Sequence, residues 1–539
     1  MTQVNLFTAG AVIIIILLIY HHLAKKYHYF LPKPIPCMKP SFLVGSSGPV
    51  LLRRQGVTTF MKTIYNSFPE ANIFGMYSIV MPVYIVRDPE LIKLIGVKDF
   101  DHFVDHAFVS GNSDDDGRND TLFGNSLIAL SGLKWRDMRA TLSPAFTGSK
   151  MRHMFELVAD CGRSMVEFFK AEEKAGKSLE YEMKATFARY GNDVIASVAF
   201  GVTVDSMRDP QNDFNVMAKK MLDFANWKIL VRIAIIQILS LVSKKFNFDI
   251  VDGTLSRYFR GIITDNMERR EAQGIVRNDM VDMLMKVRKG TLKHQKDEQD
   301  TKDTGFATVE ESSVGKTTHS RKWTDNELIA QCFLFFLAGF DTTSNLLSWL
   351  MYELTVNPAI QDRLYEEISQ IENSLLGKHL SYEALQKMSY LDMVVSEALR
   401  KWPPNVQLDR KCTKDYLLDN GTGTRFTMDK GSSVLIPVYA IHHDPKYYSN
   451  PERFDPERFS EENRSKINAG AYLPFGIGPR NCIGSRLALM QVKSIVYHLL
   501  KDFEAVSSEK TGTPLKLAKH PFLLQAENGI WVQLKSRSS

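Results

Sequence analysis

The run Phe475-Gly476-Ile477-Gly478-Pro479-Arg480-Asn481-Cys482-Ile483-Gly484 restricts what this chain can be more than any other stretch. A cysteine stands behind a loop rich in glycine and proline, and an apolar helical pattern opens at once with Ser485-Arg486-Leu487-Ala488-Leu489-Met490. Cys482 therefore sits near a helix N-terminus, where free N–H groups and the helix dipole favour thiolate over thiol. Gly476, Gly478 and Gly484 lack a Cβ, so a flat, bulky ligand can approach the backbone. Arg480, two residues before the cysteine, can reach an anionic group on that ligand. These features suit a thiolate-ligated haem. A buried structural cysteine before a core helix is the plainer alternative.

The run meets every specified position of F-x-x-G-x-R-x-C-x-G and resembles the haem-binding loop of the cytochromes P450. The flanking text His442-His443-Asp444-Pro445, Pro456-Glu457-Arg458-Phe459 and Cys482-Ile483-Gly484-Ser485-Arg486 is most similar to insect microsomal P450s of family 9. The resemblance spans nearly the whole chain. It implies a mainly α fold with a smaller β region, and haem b bound through Cys482, with Phe475, Gly476 and Gly484 shaping the loop.

Composition agrees with one large enzyme. Over 539 residues, 44% are hydrophobic and 24% charged, as in an ordinary globular protein with a large core. A net charge of +6 suits an acidic partner or an anionic membrane and is too weak to argue for nucleic acid. Cys37, Cys161, Cys332, Cys412 and Cys482 are odd in number and lack C-x-x-C spacing. That points to a reducing compartment and against disulfides or structural zinc.

The uncharged run Val4–Ala24 is long enough as a helix to cross the bilayer core, about 30 Å. Lys25-Lys26 follow and no positive charge precedes, so the positive-inside rule puts the body in the cytosol. The expected organisation is an anchor over 1–24, a basic, Pro-rich, stiff linker over 25–40, and a catalytic domain over 41–539, at the endoplasmic reticulum membrane. Ile73–Tyr77 and Pro82–Val86 read as short strands of a small sheet.

The stretch Asp101–Thr121, with His102, His106 and Asp114-Asp115-Asp116, reads as a polar loop rather than a metal site. By resemblance this loop covers the distal haem face, which makes Phe108, Phe123 and Leu127 pocket candidates. Phe336, Ala338 and Phe522 join them. Trp135 and Arg139, at i and i+4 on one helix face, are assigned by resemblance to the haem propionates, and Arg410 to a second propionate contact. Trp227–Val242 is apolar and falls where the family has lid helices, though an ordinary core helix fits equally. Lys286–Lys322 is polar and aperiodic and reads as a solvated connector.

Thr324-Asp325-Asn326-Glu327 is a capping box opening a long helix. Inside it lies Ala338-Gly339-Phe340-Asp341-Thr342-Thr343, where glycine and threonine are costly in mid-helix and threonine or a water can interrupt the backbone ladder and open a groove. A polar kink in a packed helix is the simpler alternative. The pattern is similar to the P450 A-G-x-D-T-T. The resemblance makes Thr342 the oxygen-activating alcohol and Asp341 the acid that feeds it. Glu397 and Arg400, spaced i, i+3, would form a surface pair on most helices, worth under about 1 kcal/mol. With Arg458 the resemblance makes them a buried network behind the haem loop. His443 stands where relatives often carry arginine. Pro514–Leu534 reads as two strands around Glu527-Asn528-Gly529, a hairpin with Phe522-Leu523-Leu524 closing the pocket.

The function implied is a monooxygenase. It takes electrons from NADPH through NADPH–cytochrome P450 reductase, with cytochrome b5 as a second donor, and inserts one atom of O2 into a lipophilic substrate such as an insecticide or plant toxin. A steroid or fatty-acid hydroxylase, a peroxide-rearranging P450 and a non-catalytic haem protein are the alternatives. Lys134, Arg136, Arg139, Lys150 and Arg152 form a local basic excess suited to an acidic reductase.

Overall fold

The structure is a computed structural model that describes residues 21, 26–42, 44–107, 121–222, 251, 253–277, 279–290, 305–309, 314, 321–419, 421 and 423–537. Val4–Ala24 (His21 apart), Phe108, Asp114–Asp116 and Trp227–Val242 lie outside these residues. No helix among the described residues is long and apolar enough to cross a membrane.

Helices dominate. Those framing the site are α1 (Gly132–Leu142), α2 (Gly148–Lys174), α3 (Met183–Ile195), α4 (Asp325–Val356), α5 (Ser389–Lys401) and α6 (Ser485–Asp502). The capping box is present at the start of α4. Glu327 N–H donates to Thr324 Oγ1 at 3.3 Å, and Thr324 N–H to Glu327 Oε2 at 2.9 Å. Two glycines let α3 and α4 touch. A Cβ on Gly191 would come 3.2 Å from the Phe340 carbonyl, and one on Gly339 would come 2.7 Å from Ile195 Cδ1. Gly339 therefore serves helix contact rather than a groove, which corrects the sequence reading.

The strands β1 (Ile73–Ser78), β2 (Met81–Val86), β4 (Leu408–Lys411) and β7 (Ser433–Ile436) form one sheet in the order β1-β2-β7-β4. β2 and β7 run parallel and the other pairs antiparallel. β5 (Tyr416–Asp419) pairs with β6 (Arg425–Met428). β3 (Glu180–Glu182), β9 (Trp531–Ser536) and β8 (Phe503–Val506) form the third sheet. The hairpin expected around Glu527-Asn528-Gly529 is replaced: β9 pairs with β3 and β8, and Leu517 meets Ala526 in an isolated antiparallel bridge with Phe522–Leu524 in the loop between them. The cause is local. The Phe522 and Leu523 N–H groups turn onto His520 Nδ1 at 3.1 and 2.8 Å and are lost to any ladder.

The segment 26–40 is no free spacer. Gly75 N–H donates to the Pro36 carbonyl, and Met38 N–H to the Gly75 carbonyl. Phe30 is 3% exposed and its ring covers Gly75, where a Cβ would lie 2.7 Å from it. Burying that aromatic face outweighs the stiffness that proline confers. Part of the polar connector is docked as well: Gly305 and Ala307 are buried.

Candidate functional site

Two exposures inside the core define the site. α4 is buried over most of its length, yet Ala338 and Thr342, one turn apart, are exposed in its middle. Cys482 is exposed too, between buried Asn481 and Ser485. The sulfur nonetheless lies deep among protein atoms, so it forms the wall of an internal cavity rather than outer surface. Phe146 joins the two walls. Its ring is 5.5 Å from that of Phe335 on α4, and a Cβ on Gly484 would touch it at 4.0 Å. Thr343 Oγ1 and Gln491 Oε1, 3.2 Å apart, tie α4 to α6.

The loop owes its shape to glycines at positive φ. Gly476 has φ +79° and Gly478 φ +70°, and a Cβ on Gly478 would lie 1.8 Å from the Gly96 carbonyl oxygen. Cys482 N–H donates to the Phe475 carbonyl at 2.8 Å and closes the loop. Burial pushes the Cys482 thiol up, against weaker pulls from the Gly484 backbone and Arg139. The helix start alone therefore does not make a thiolate here, contrary to the sequence expectation. A metal cation bound at the sulfur would supply the missing charge.

Around the loop three guanidinium groups are buried. Arg139 donates to Asn481 O and Oδ1, both at 2.8 Å. Arg480 donates to the carbonyls of Val104, Leu127 and Leu130 at 2.7, 3.2 and 2.7 Å, and lies 4.1 Å over the Trp135 ring. Arg410, on β4, donates to the Asp409 and Ile477 carbonyls, and its Nε is buried without a partner. Burial pulls both Arg410 and Arg480 down from the usual range. Asp105, 3.6 Å from Arg480, and Asp409, 3.0 Å from His106 Nδ1, supply the nearby negative charge. A glycine-lined cysteine beside three buried guanidiniums, one with an orphan N–H, fits an anionic planar group such as haem. Arg139 and Arg480 are held largely by protein acceptors, which leaves Arg410 Nε as the most available donor.

On α4 the Thr342 hydroxyl donates to the Ala338 carbonyl at 2.6 Å. Asp341 turns outward to Lys184 on α3, whose Nζ is 2.5 Å from Oδ1, 3.0 Å from the Asp341 carbonyl and 3.1 Å from Ser344 Oγ. Behind the loop, Glu397 and Arg400 on α5 are fully buried in a bidentate pair of 2.7 and 2.8 Å, and Arg458 Nε lies 3.4 Å from Glu397. Burial raises the Glu397 carboxyl, opposed by Arg400 and the Asp455 N–H. Arg400 also donates to the His442 carbonyl, and His442 Nε2 accepts the Leu473 N–H at 2.9 Å. His443 is buried against Tyr439, with its Nε2 unpartnered.

The pocket candidates divide. Ala338 opens on the cavity. Phe336 does not: it is 0% exposed and packs with Phe200, Phe214, Phe259 and Phe340 in an aromatic core. Leu127 is buried, and its backbone bridges Gln331 on α4 to Arg480. Phe123 is partly exposed, and Phe522 is exposed on the tail. The basic excess is largely neutralised. Lys134 pairs with Glu327, Arg136 with Asp101 and Arg152 with Glu383, while Arg139 is buried. Among the described residues Lys150 carries no such pair. Sequence reasoning missed Lys184, Asn481, Phe146 and Gly96, for which no local pattern exists.

A loop cysteine, two exposed residues in the middle of an otherwise buried helix and three buried guanidiniums beside the loop make up a site that fits a haem-thiolate protein. The family model for cytochrome P450 matches residues 32–532, and the chain belongs to the cytochrome P450 family. It is 41% identical to cytochrome P450 9e2 of Blattella germanica and 39% identical to probable cytochrome P450 9f2 of Drosophila melanogaster, with 95% of each chain covered in both cases. It is 35% identical to cytochrome P450 6k1 of Blattella germanica, over 94% of this chain and 93% of that one. The protein is thus a haem-dependent monooxygenase that uses a cysteine thiolate ligand and electrons from a redox partner.

Proposed function

We propose that Cys482 is the haem ligand, that Thr342 and Asp341 deliver protons, and that the electrons originate from NADPH through a membrane-bound reductase. The observation that carries this reading is the exposure of Cys482 and of Ala338 and Thr342 within otherwise buried segments that Phe146 and the Thr343–Gln491 contact bring close together. Haem supplies the oxygen chemistry, and a thiolate ligand favours O–O cleavage. Gly476, Gly478 and Gly484 would leave room for the macrocycle, and Arg410, with Arg139 and Trp135 nearby, would hold its acidic groups.

One oxygen atom enters the substrate. The other leaves as water with two electrons and two protons, so a proton path is required. Thr342 reaches into the cavity once its hydroxyl leaves the Ala338 carbonyl. Asp341 relays from the outer side, where Lys184 holds it. A lipophilic substrate is supported by the aromatic wall of Phe146 and Phe335. Among such substrates we favour foreign compounds such as insecticides and plant toxins over steroids or fatty acids. The uncharged Val4–Ala24 run supports anchoring in the endoplasmic reticulum membrane with the body in the cytosol. With Lys134, Arg136 and Arg152 paired, Lys150 is the residue at which reductase docking is best probed.

The test is the coupling of Thr342→Ala in a reductase-reconstituted system. The variant should bind haem and substrate as the wild type does, while product per NADPH falls severalfold and peroxide rises. The Thr342 hydroxyl bond lies within its own helix, so its loss breaks no tertiary contact. Unchanged coupling would remove Thr342 from the proton path. Absence of NADPH-dependent product across insecticides, plant toxins, steroids and fatty acids would overturn the electron-source reading.

A further inference from the structure

The polar connector before α4 contains one docked turn. Phe306 N–H donates to Asp392 Oδ2 at 2.8 Å, and Thr308 N–H donates to the Gly305 carbonyl at 3.2 Å. Ala307 is 3% exposed. Gly305 is required by contact, since a Cβ there would lie 2.6 Å from Asp392 Oδ1. That carboxylate is already held by Lys493 of α6 at 2.6 Å, so the turn binds an anchored acid. The Phe306 ring fills a niche between Phe459, 4.9 Å away, and Tyr472, 5.3 Å away, with the Arg464 guanidinium 5.3 Å over it.

Tyr472 is the link to the site. It also packs on Phe459 at 5.0 Å and stacks on His442 at 5.7 Å, and its hydroxyl donates to the Ser396 carbonyl at 3.0 Å. His442 in turn accepts the N–H of Leu473, whose carbonyl accepts the Gly476 N–H at 3.2 Å at the entry of the cysteine loop. Phe306, Tyr472, His442, Leu473 and Gly476 thus form one packed and hydrogen-bonded series.

We propose that Gly305–Thr308 is a strap whose Phe306 positions the cysteine loop through Tyr472 and His442. Phe306 contacts no reacting group and is a positioning residue. A packed ring in a niche has one arrangement, and its removal leaves a space into which Tyr472 can shift, releasing the Leu473 and Gly476 amides together. The spectral arm of the test rests on Cys482 being the haem ligand, and the exchange arm does not.

The experiment is backbone hydrogen exchange on the full chain with Phe306→Ala, Phe306→Tyr and Arg464→Ala. Phe306→Ala should speed exchange at Leu473, Gly476 and Cys482 about fivefold or more, leaving the centre of α4 unchanged. Arg464→Ala should give a smaller rise of about twofold, and Phe306→Tyr should restore wild-type rates. Exchange that rises only within 305–309, or a Phe306→Tyr variant that behaves like Phe306→Ala, would overturn the strap. In parallel, the thiolate-type carbon monoxide spectrum should decay severalfold faster in Phe306→Ala. If exchange responds as expected and that decay does not, the strap stands and the Cys482 reading is contradicted.

Discussion

Lys184 Nζ stands 2.5 Å from Asp341 Oδ1, tying the acid of the interrupted helix to α3 across 157 residues of sequence. The same ammonium also reaches the Asp341 carbonyl and Ser344 Oγ. The Asp341 side of α4 is therefore clamped, while the Thr342 hydroxyl bonds only to the Ala338 carbonyl of its own helix.

If Asp341 relays protons, Asp341→Asn should slow turnover about 100-fold, within the range for a positioned acid, with haem content and substrate affinity retained. Lys184→Met should cost less. The double variant should be no slower than Asp341→Asn, because the lysine acts only through the carboxylate. Additive losses would show that Lys184 has a separate role.

Gly478 meets two constraints at once, φ +70° and the Gly96 carbonyl. Gly478→Ala should destabilise the loop by about 3 kcal/mol or more through strain and overpacking, and purify with little haem. Gly431 is the control. Its φ is +91° with nothing within 4 Å of a Cβ, so Gly431→Ala should cost only its backbone strain. Urea midpoints and haem content measure both. Equal effects would mean that the Gly96 contact is unimportant.

Burial and the Arg400 charge lower His442 from 6.5 to about 3, so the folded state keeps it neutral. The unfolded chain takes up a proton below its ordinary pKa. Its contribution to stability is therefore complete above pH 6.5 and is lost as pH falls toward 3. The slope is at most about 1.4 kcal/mol per pH unit for each such group. His498, lowered to about 4 chiefly by burial, adds the same sign. The stability Asp409 contributes, with its carboxyl at about 2, is lost only below its ordinary value of 3.8, while Asp193, raised by burial to about 7, opposes the histidines between pH 6.5 and 5. His442→Gln should flatten the decline in urea midpoint across that window while lowering stability overall. An unchanged slope would assign the acid sensitivity elsewhere.

What could be read in advance was local. The Thr324–Glu327 cap and the strand runs at Ile73 and Met81 depend on neighbouring residues, and they form as their patterns require. The cysteine loop stands out in the sequence because Gly476 and Gly478 are needed at positive φ. What escaped depends on which side of an element meets a distant partner. Phe336 and Ala338 are two residues apart on one helix, yet one is core and the other cavity wall. The C-terminal run carries a hairpin pattern, but β9 pairs with β3 and β8. Lys134, Arg136 and Arg152 formed a basic cluster in the text because their acids come from other segments.

The central claim is that Cys482 holds the haem. Cys332 and Cys412 are buried and Cys37 and Cys161 partly so, which leaves Cys482 as the exposed thiol among the described residues. The direct measurement is the carbon monoxide difference spectrum of the reduced, purified Cys482→His variant beside the wild type. The wild type should give the thiolate-type spectrum and Cys482→His should lose it, even in the fraction that retains haem. A thiolate-type spectrum surviving in Cys482→His would contradict the account.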